Sequence, residues 1–267
     1  FCNETLKQST TKYHTLANSL YWALKQDELE LYYQPKISLE REEIVGFEAL
    51  LRWNNPTYGM IQPDHFIPLA EQTGMIKPIG LWVLRTACLQ IKQFQAYTKR
   101  QLSISVNLSI IQLKDSSIAE KIATILRETG TPAHIVEVEI TESVAFQDEP
   151  GILLRLQELK EVGLSIAIDD FGTGYSSFSR LKLFPFDTLK IDIEFVRAIS
   201  SNAHKDRAII KSIIQLAKNL ELSTLAEGVE NEQQLAFLKE QECDAIQGYL
   251  FYRPLPVAAI IEILANP

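Results

Sequence analysis

Oxygen-bearing side chains recur at the ends of short apolar runs in this sequence: Glu48, Asn107, Glu139, Asp169 with Asp170, Glu227 and Gln247, with Lys190 among them. Several carboxylates can share a folded interior only if protons, ammonium groups or metal ions neutralise them. The donors are carboxylate and amide oxygens, with no cysteine or histidine in the set, so the cation they suit is hard: Mg²⁺ or Mn²⁺ rather than zinc. His14, His65, His134 and His204 show no HxxxH spacing, and Cys2, Cys88 and Cys243 show no CxxC spacing. A zinc hydrolase, a zinc ribbon and a disulfide framework are therefore disfavoured.

Convergence of these residues requires elements that bring strand ends together. From Glu30 onward, runs rich in β-branched and aromatic residues alternate with longer segments whose apolar positions recur every three or four residues. The alternation predicts eight strands, near residues 31–35, 45–50, 103–108, 136–140, 165–169, 188–192, 223–227 and 245–248. Helices fit over residues 79–94, 118–128, 150–162, 204–220, 232–241 and 257–264. The class is α/β, and the architecture a modified TIM (β/α)8 barrel. Only residues 39–44 separate the first two strands, fewer than the roughly dozen residues of a parallel crossover. The first strand is therefore expected to run antiparallel.

Alternation along a strand sorts the faces. Ser103, Ser105 and Asn107 oppose Ile104 and Val106; Glu137, Glu139 and Thr141 oppose Val138 and Ile140; Thr188, Lys190 and Asp192 oppose Leu189 and Ile191. In a helix-wrapped barrel the apolar face meets the helices and the polar face enters the lumen. The acids should then gather at the C-terminal mouth, where barrel active sites form. The connection over residues 170–186, with Gly172 and Gly174, has the length of a lid or substrate loop.

Composition closes other routes. The chain has 267 residues, 46% hydrophobic and 22% charged, enough for one large domain with its own core. Lys plus Arg total 26 against 34 Asp plus Glu, a formal net charge of -8, which repels bulk nucleic acid and an anionic membrane face. No apolar run reaches the roughly 20 residues of a bilayer span, and no signal peptide is visible, so a cytoplasmic domain is expected. The first residue is Phe1, and Leu16, Leu20 and Leu24 fall at helical spacing. Residues 1–28 read as a helical lead-in from an upstream region, and residues 29–267 as the barrel; an upstream regulatory domain, or a membrane tether, would lie before them.

Taken singly, each residue has a plainer use. Glu48 or Glu139 could pair with Arg52 or Lys190 in a structural ion network, Asp169–Asp170 could close a strand in a turn, Lys190 could reach solvent, and Asn107 could cap a loop. Convergence at one end of one barrel is what favours a shared site. Trp22, Trp53 and Trp82 read as core residues, while Tyr249 and Phe251 near Gln247 could stack on a base.

In order along the chain stand Tyr33-Gln34-Pro35, Glu48-Ala49-Leu50-Leu51-Arg52-Trp53, Val106-Asn107-Leu108-Ser109, Glu139-Ile140-Thr141-Glu142, Asp169-Asp170-Phe171-Gly172-Thr173-Gly174, Leu189-Lys190-Ile191-Asp192, Ala226-Glu227-Gly228-Val229-Glu230 and Gln247-Gly248-Tyr249. This succession resembles the EAL-domain family of bacterial cyclic-di-GMP phosphodiesterases, over roughly residues 29–256. The resemblance implies the same barrel with an antiparallel first strand. It implies metal ligation by Glu48, Asn107, Glu139, Asp169 and Asp170, with Glu227 contributing directly or through water, and a catalytic role for Lys190 and Glu227. Gln34, Arg52, Glu230 and Gln247 match positions that contact the dinucleotide, and Glu142 matches a glutamate that stabilises the loop after the fifth predicted strand. Phe178, Ile193-Glu194 and Asn231 depart from the family's commoner residues; none is a matched ligand.

The implied reaction is metal-dependent hydrolysis of a 3′,5′-phosphodiester of cyclic-di-GMP to linear pGpG, with two Mg²⁺ or Mn²⁺ ions bridged by Asp169. Arg52 suits a bidentate grip on phosphate. Lys190, desolvated among metals, would carry a lowered pKa and orient or help deprotonate the attacking water. The alternative is a catalytically silent cyclic-di-GMP receptor or interaction domain; such receptors typically lack one of the acids or the lysine, and here all are present. The resemblance also implies a homodimer paired through helices beside the fifth and sixth predicted strands.

Overall fold

The strands β1 (Leu29–Ser38) and β2 (Glu43–Asn55) form a long hairpin, antiparallel with Gln34 opposite Glu48 and Lys36 opposite Gly46. The computed structural model describes residues 16–146, 151–172, 181–201 and 204–265. Beyond the hairpin lie β3 (Gly59–Ile61), β4 (Ser103–Asn107), β5 (Val136–Thr141), β6 (Ser165–Phe171), β7 (Thr188–Ile191), β8 (Ser223–Glu227) and β9 (Ala245–Gln247). Their order is β1-β9-β8-β7-β6-β5-β4-β2-β3, and the β1–β2 pairing closes the ring, with β3 an antiparallel appendage of β2. β1 is antiparallel to both neighbours, β2 and β9. Every other pairing in the ring is parallel. This is the modified (β/α)8 barrel with a reversed first strand that the short connection requires.

The outward strand faces are apolar and covered. Ile104, Val138, Ile140, Ile166, Ile168, Leu189 and Ile191 are wholly buried. Helix Ile76–Gln95 buries Ile79, Val83, Ala87, Ile91 and Phe94, a helical stripe of the kind that seats on a sheet. Phe94 sits with its ring centroid 5.1 Å from those of Tyr33 and Phe47, fixing this helix against the outer face of the β1–β2 hairpin. Inside the ring the residues are instead polar: Lys36, Glu48, Ser105, Glu139, Asp169, Lys190 and Gln247 are all buried.

The helix Pro63–Thr73 escapes the periodicity because Pro63 stands in its first turn and Pro68 lies inside it. The first strand runs further than the predicted residues 31–35 at both ends. Trp53 is core, but Trp22 is a surface residue, 51% exposed, its ring edge-on to Tyr21. Residues 16–23 are helical, and Leu20 and Ala23 join the same apolar cluster as Leu29 and Leu31. Within the expected loop over 170–186, Gly172 is placed, whereas Gly174 and Phe178 lie outside the described residues, as do His14 and Cys2.

Candidate active site

Strand register assembles the site. Gln34 of β1 faces Glu48 of β2, Asn107 of β4 faces Glu139 of β5, and Glu227 of β8 faces Gln247 of β9. Asn107, Glu139, Glu227 and Gln247 lie toward the C-terminal ends of their strands, Glu48 lies within β2 where it pairs with β4, and the reversed β1 delivers Gln34 to the same level. Asp169 and Asp170 need a further device, because consecutive residues on a regular strand point to opposite faces. The β6–β7 register shifts between Ile168 and Phe171, and Asp170 adopts a left-handed φ of 55°. This irregularity brings both carboxylates round to Glu227, so that one oxygen from each of Asp169, Asp170 and Glu227 lies within 4.8 Å of the others.

Lys190, wholly buried, is the hub. Its Nζ lies 2.6 Å from Glu139 Oε2, 2.8 Å from Glu227 Oε1, 2.9 Å from Asp169 Oδ1 and 3.8 Å from Glu48 Oε2. Glu48 in turn accepts from Asn107 Nδ2 at 2.9 Å and from Gln247 Nε2 at 2.7 Å. Gln247 Nε2 also donates to Gln34 Oε1 at 3.0 Å, and Gln34 Nε2 to the carbonyl of Tyr252 at 3.1 Å. The structural ion network and the shared site are thus one object.

Burial and crowding set the charges. Burial pushes Glu48 and Asp169 above the ordinary carboxylate range, and nearby acids add to it. Burial and the neighbouring Asp169 raise Asp170 to about 6, and burial, with Asp169 and Glu48 beside it, raises Glu227 to about 8. Glu139 goes the other way: burial opposes its charge, but Lys190 and Lys36 outweigh burial and hold it well below the usual range. Burial likewise opposes the charge on Lys190, yet Glu139, Glu227, Glu48 and Asp169 hold its pKa well above the ordinary lysine value. Lys190 Nζ donates to Glu139 Oε2 at 2.6 Å.

Around this cluster, Gln34, Glu48, Glu227, Glu230, Gln247, Tyr249 and Arg197 line a cleft of about 220 Å³. Glu230 accepts from exposed Arg197 at 3.3 Å. A chamber of about 450 Å³ on the other side reaches Asn107 and Glu139 and is lined by Arg52, whose guanidinium lies 5.5 Å over Tyr32 and donates to the Leu51 carbonyl at 2.9 Å. Glu142, 2% exposed, accepts from the Gly172 N–H at 2.7 Å. Gln34, Glu48, Arg52, Asn107, Glu139, Glu227, Glu230 and Gln247 thus line the two cavities beside the Lys190 cluster, and Asp169 and Asp170 come within reach of Glu227. Two residues were not singled out from the sequence: Lys36, which touches Glu139 from below, and Tyr252, whose carbonyl orients Gln34.

A sequence model described as the EAL domain matches residues 17–254. The chain belongs to the EAL domain family. This EAL domain is 40% identical over 264 residues to the cyclic di-GMP phosphodiesterase NbdA of Pseudomonas aeruginosa, covering 99% of this chain and 34% of that protein. It is 38% identical over 266 residues to the bifunctional diguanylate cyclase/cyclic di-GMP phosphodiesterase MucR of the same organism, covering 99% of this chain and 38% of MucR. The chain thus spans little more than a third of the length of these relatives. The solved PaMucR phosphodiesterase in complex with c-di-GMP matches this EAL domain with a TM-score of 0.87 at 39% identity, over 92% of this chain and 99% of that one. The crystallised EAL domain of Mycobacterium smegmatis DcpA matches with a TM-score of 0.76 at 38% identity, over 89% and 98%. Among the described residues no helix is long and apolar enough to cross a membrane.

Proposed function

We propose that this EAL domain hydrolyses one 3′,5′-phosphodiester of cyclic-di-GMP to linear pGpG, using Mg²⁺ or Mn²⁺. The observation that carries this reading is the buried cluster in which Glu48, Glu139, Asp169 and Glu227, from four separate strands, surround the Lys190 ammonium. The donor chemistry fits a hard divalent cation: oxygen ligands only, and carboxylates that resist ionising together unless a cation joins them. We assign Glu48, Asn107, Glu139, Asp169, Asp170 and Glu227 as the groups that hold the metal, two ions in all. Bound there, such ions would lower the pKa of water toward hydroxide, the nucleophile, and would offset the charge on phosphate.

The chain's own groups do the rest. Lys190, whose Nζ lies within 2.9 Å of Glu139, Glu227 and Asp169, would donate to the attacking water or to a phosphate oxygen and so orient the reacting pair. Glu227, whose Oε1 lies 2.8 Å from Lys190 Nζ, would help orient the water beside the reacting phosphate. Arg52 grips a phosphate with paired N–H donors, held in place by Tyr32 and the Leu51 carbonyl. Gln34, Gln247 and Glu230 line the cleft beside the cluster and contact the dinucleotide. Glu142 fixes the start of the loop after β6 through Gly172.

We assign the hydrolase barrel to residues 29–267, with residues 1–28 as its lead-in, and place it in the cytosol. A homodimer completes the proposal. The groove of about 920 Å³ beside the helices Ile193–Ala198 and His204–Asn219, lined by Phe171, Phe195, Ile209 and Ile213, is the face through which it would pair.

The deciding experiment is incubation with cyclic-di-GMP in Mg²⁺ or Mn²⁺, with and without EDTA, and separation of the products. Linear pGpG formed only with metal is expected. Tight binding of a ring that stays intact would overturn the hydrolase reading in favour of a receptor.

A further inference from the structure

Beneath Glu139, on the side away from the mouth, a second ammonium stands in the barrel lumen. Lys36 Nζ lies 2.9 Å from Glu139 Oε1 and 2.9 Å from Glu137 Oε1, and the residue is 6% exposed. Glu137 is completed by Thr188, whose hydroxyl donates to Oε2 at 2.7 Å. Lys36, Glu137 and Thr188 face a cavity of about 760 Å³ that also reaches Ser38, Ser103 and Asp244, at the end of the barrel opposite the candidate active site. The layers of charge thus alternate along the barrel axis: Glu137, Lys36, Glu139, Lys190, and then the carboxylates of the mouth.

The reversed first strand explains how a lysine reaches this depth. β1 descends where its neighbours ascend, so Gln34 meets Glu48 near the mouth while Lys36, two residues on and on the same face, meets Gly46 lower down. Glu139 is consequently held at both oxygens, Oε1 by Lys36 and Oε2 by Lys190. Of the two ammonium groups, only that of Lys190 also contacts Asp169, Glu227 and Glu48.

We propose that Lys36 is a positioning residue for Glu139: it clamps the lower carboxylate oxygen, so that Oε2, which also meets Lys190, is held toward the mouth in one fixed orientation where a divalent cation would bind. The proposal rests on Glu139 being a metal-holding group, as inferred above. Outer partners that orient a metal ligand are worth about ten- to a hundredfold in metal affinity or activity. A merely electrostatic role predicts the opposite sign. Deleting a cation beside these carboxylates would, by Coulomb's law alone, tighten their hold on a divalent ion.

The two roles separate in a direct Mn²⁺ titration of the 267-residue chain, with free Mn²⁺ read by electron paramagnetic resonance and melting temperature recorded in parallel. Lys36→Met leaves Glu137 and Glu139 without the cation between them and is expected to lower the melting temperature. Lys36→Met/Glu137→Gln removes that conflict and should recover most of the loss. Yet the double variant should still bind Mn²⁺ about ten- to a hundredfold more weakly than the unaltered chain. Glu137→Gln alone, which keeps the Lys36–Glu139 contact, should bind as the unaltered chain does. Equal or tighter Mn²⁺ binding by the double variant, or equal weakening by Glu137→Gln alone, overturns the positioning role while leaving the metal site standing. An unaltered chain that takes up no Mn²⁺ overturns both.

Discussion

Gly172 donates its backbone N–H to Glu142 Oε2 across 2.7 Å, tying the helical turn after β5 to the first residue beyond β6. Only glycine suits that end of the contact: φ is +102°, and a Cβ there would stand 2.6 Å from the Phe195 ring. The bond fixes the backbone immediately after Asp169 and Asp170. A charge-assisted hydrogen bond of this kind is worth about 1.5–3 kcal/mol, and about 1.4 kcal/mol is a factor of ten in rate. Glu142→Ala should therefore lower kcat for cyclic-di-GMP about tenfold or more, and Glu142→Gln, which keeps a neutral acceptor, should fall between. Steady-state kinetics of the three chains checks this; unaltered kinetics in the alanine variant would remove Glu142 from the machinery.

Glu48 is the meeting point of Asn107, Gln247 and, more distantly, Lys190. Glu48→Ala and Asp169→Asn should each abolish metal-dependent hydrolysis while the barrel stays folded, because Lys190 keeps Glu139 and Glu227 as partners in both variants. Circular dichroism should superpose on that of the unaltered chain. Hydrolysis at the normal rate by either variant, in Mg²⁺ or Mn²⁺, would refute the metal assignment.

Gly248 follows Gln247 where two backbones nearly touch. A Cβ at this position would stand 2.2 Å from both the nitrogen and the carbonyl oxygen of Val229, and backbone yields far less than a side chain. Val229 and Gln247 are also bonded main chain to main chain at 3.1 Å. Gly248→Ala should force β9 away from the segment after β8, costing on the order of 1–3 kcal/mol as overpacking does, and should displace Gln247 from Glu48. The expected result is a lower denaturation midpoint together with weakened binding of cyclic-di-GMP. A variant as stable as the unaltered chain would show that β9 can shift freely.

Much of this site was legible because strand alternation has a period of two. Parity alone put Glu137, Glu139, Thr188 and Lys190 on one face, and the contacts of Glu137 with Thr188 and of Glu139 with Lys190 bear that out. Asp170 defeats the same rule. It follows Asp169 directly, and only the register shift with its left-handed φ turns both acids to one side; its place at a strand end singled it out, and a resemblance of motif gave it a ligand role. Lys36 was lost to a boundary. With the first strand taken to stop at residue 35, its alternation with Gln34 went unread, whereas β1 runs on to Ser38.

The two described cysteines lie far from the mouth and report on folding rather than on catalysis. Burial pushes the thiols of Cys88 and Cys243 from an ordinary 9.0 up to about 11, more than their hydroxyl and carbonyl neighbours offset. The folded chain thus holds these protons more tightly than the unfolded one. By linkage, the associated stability is fully present below about pH 9 and is lost as pH rises toward about 11. With Cys2→Ser to remove the third thiol, Ellman's reagent at pH 8 should label the native chain slowly and the denatured chain at once, since the thiolate is the nucleophile. The denaturant midpoint should fall between pH 8 and pH 10.5, and fall less steeply in the variant that also carries Cys88→Ala and Cys243→Ala. Rapid native labelling, or the same pH slope with and without the two thiols, would show that they are open to solvent.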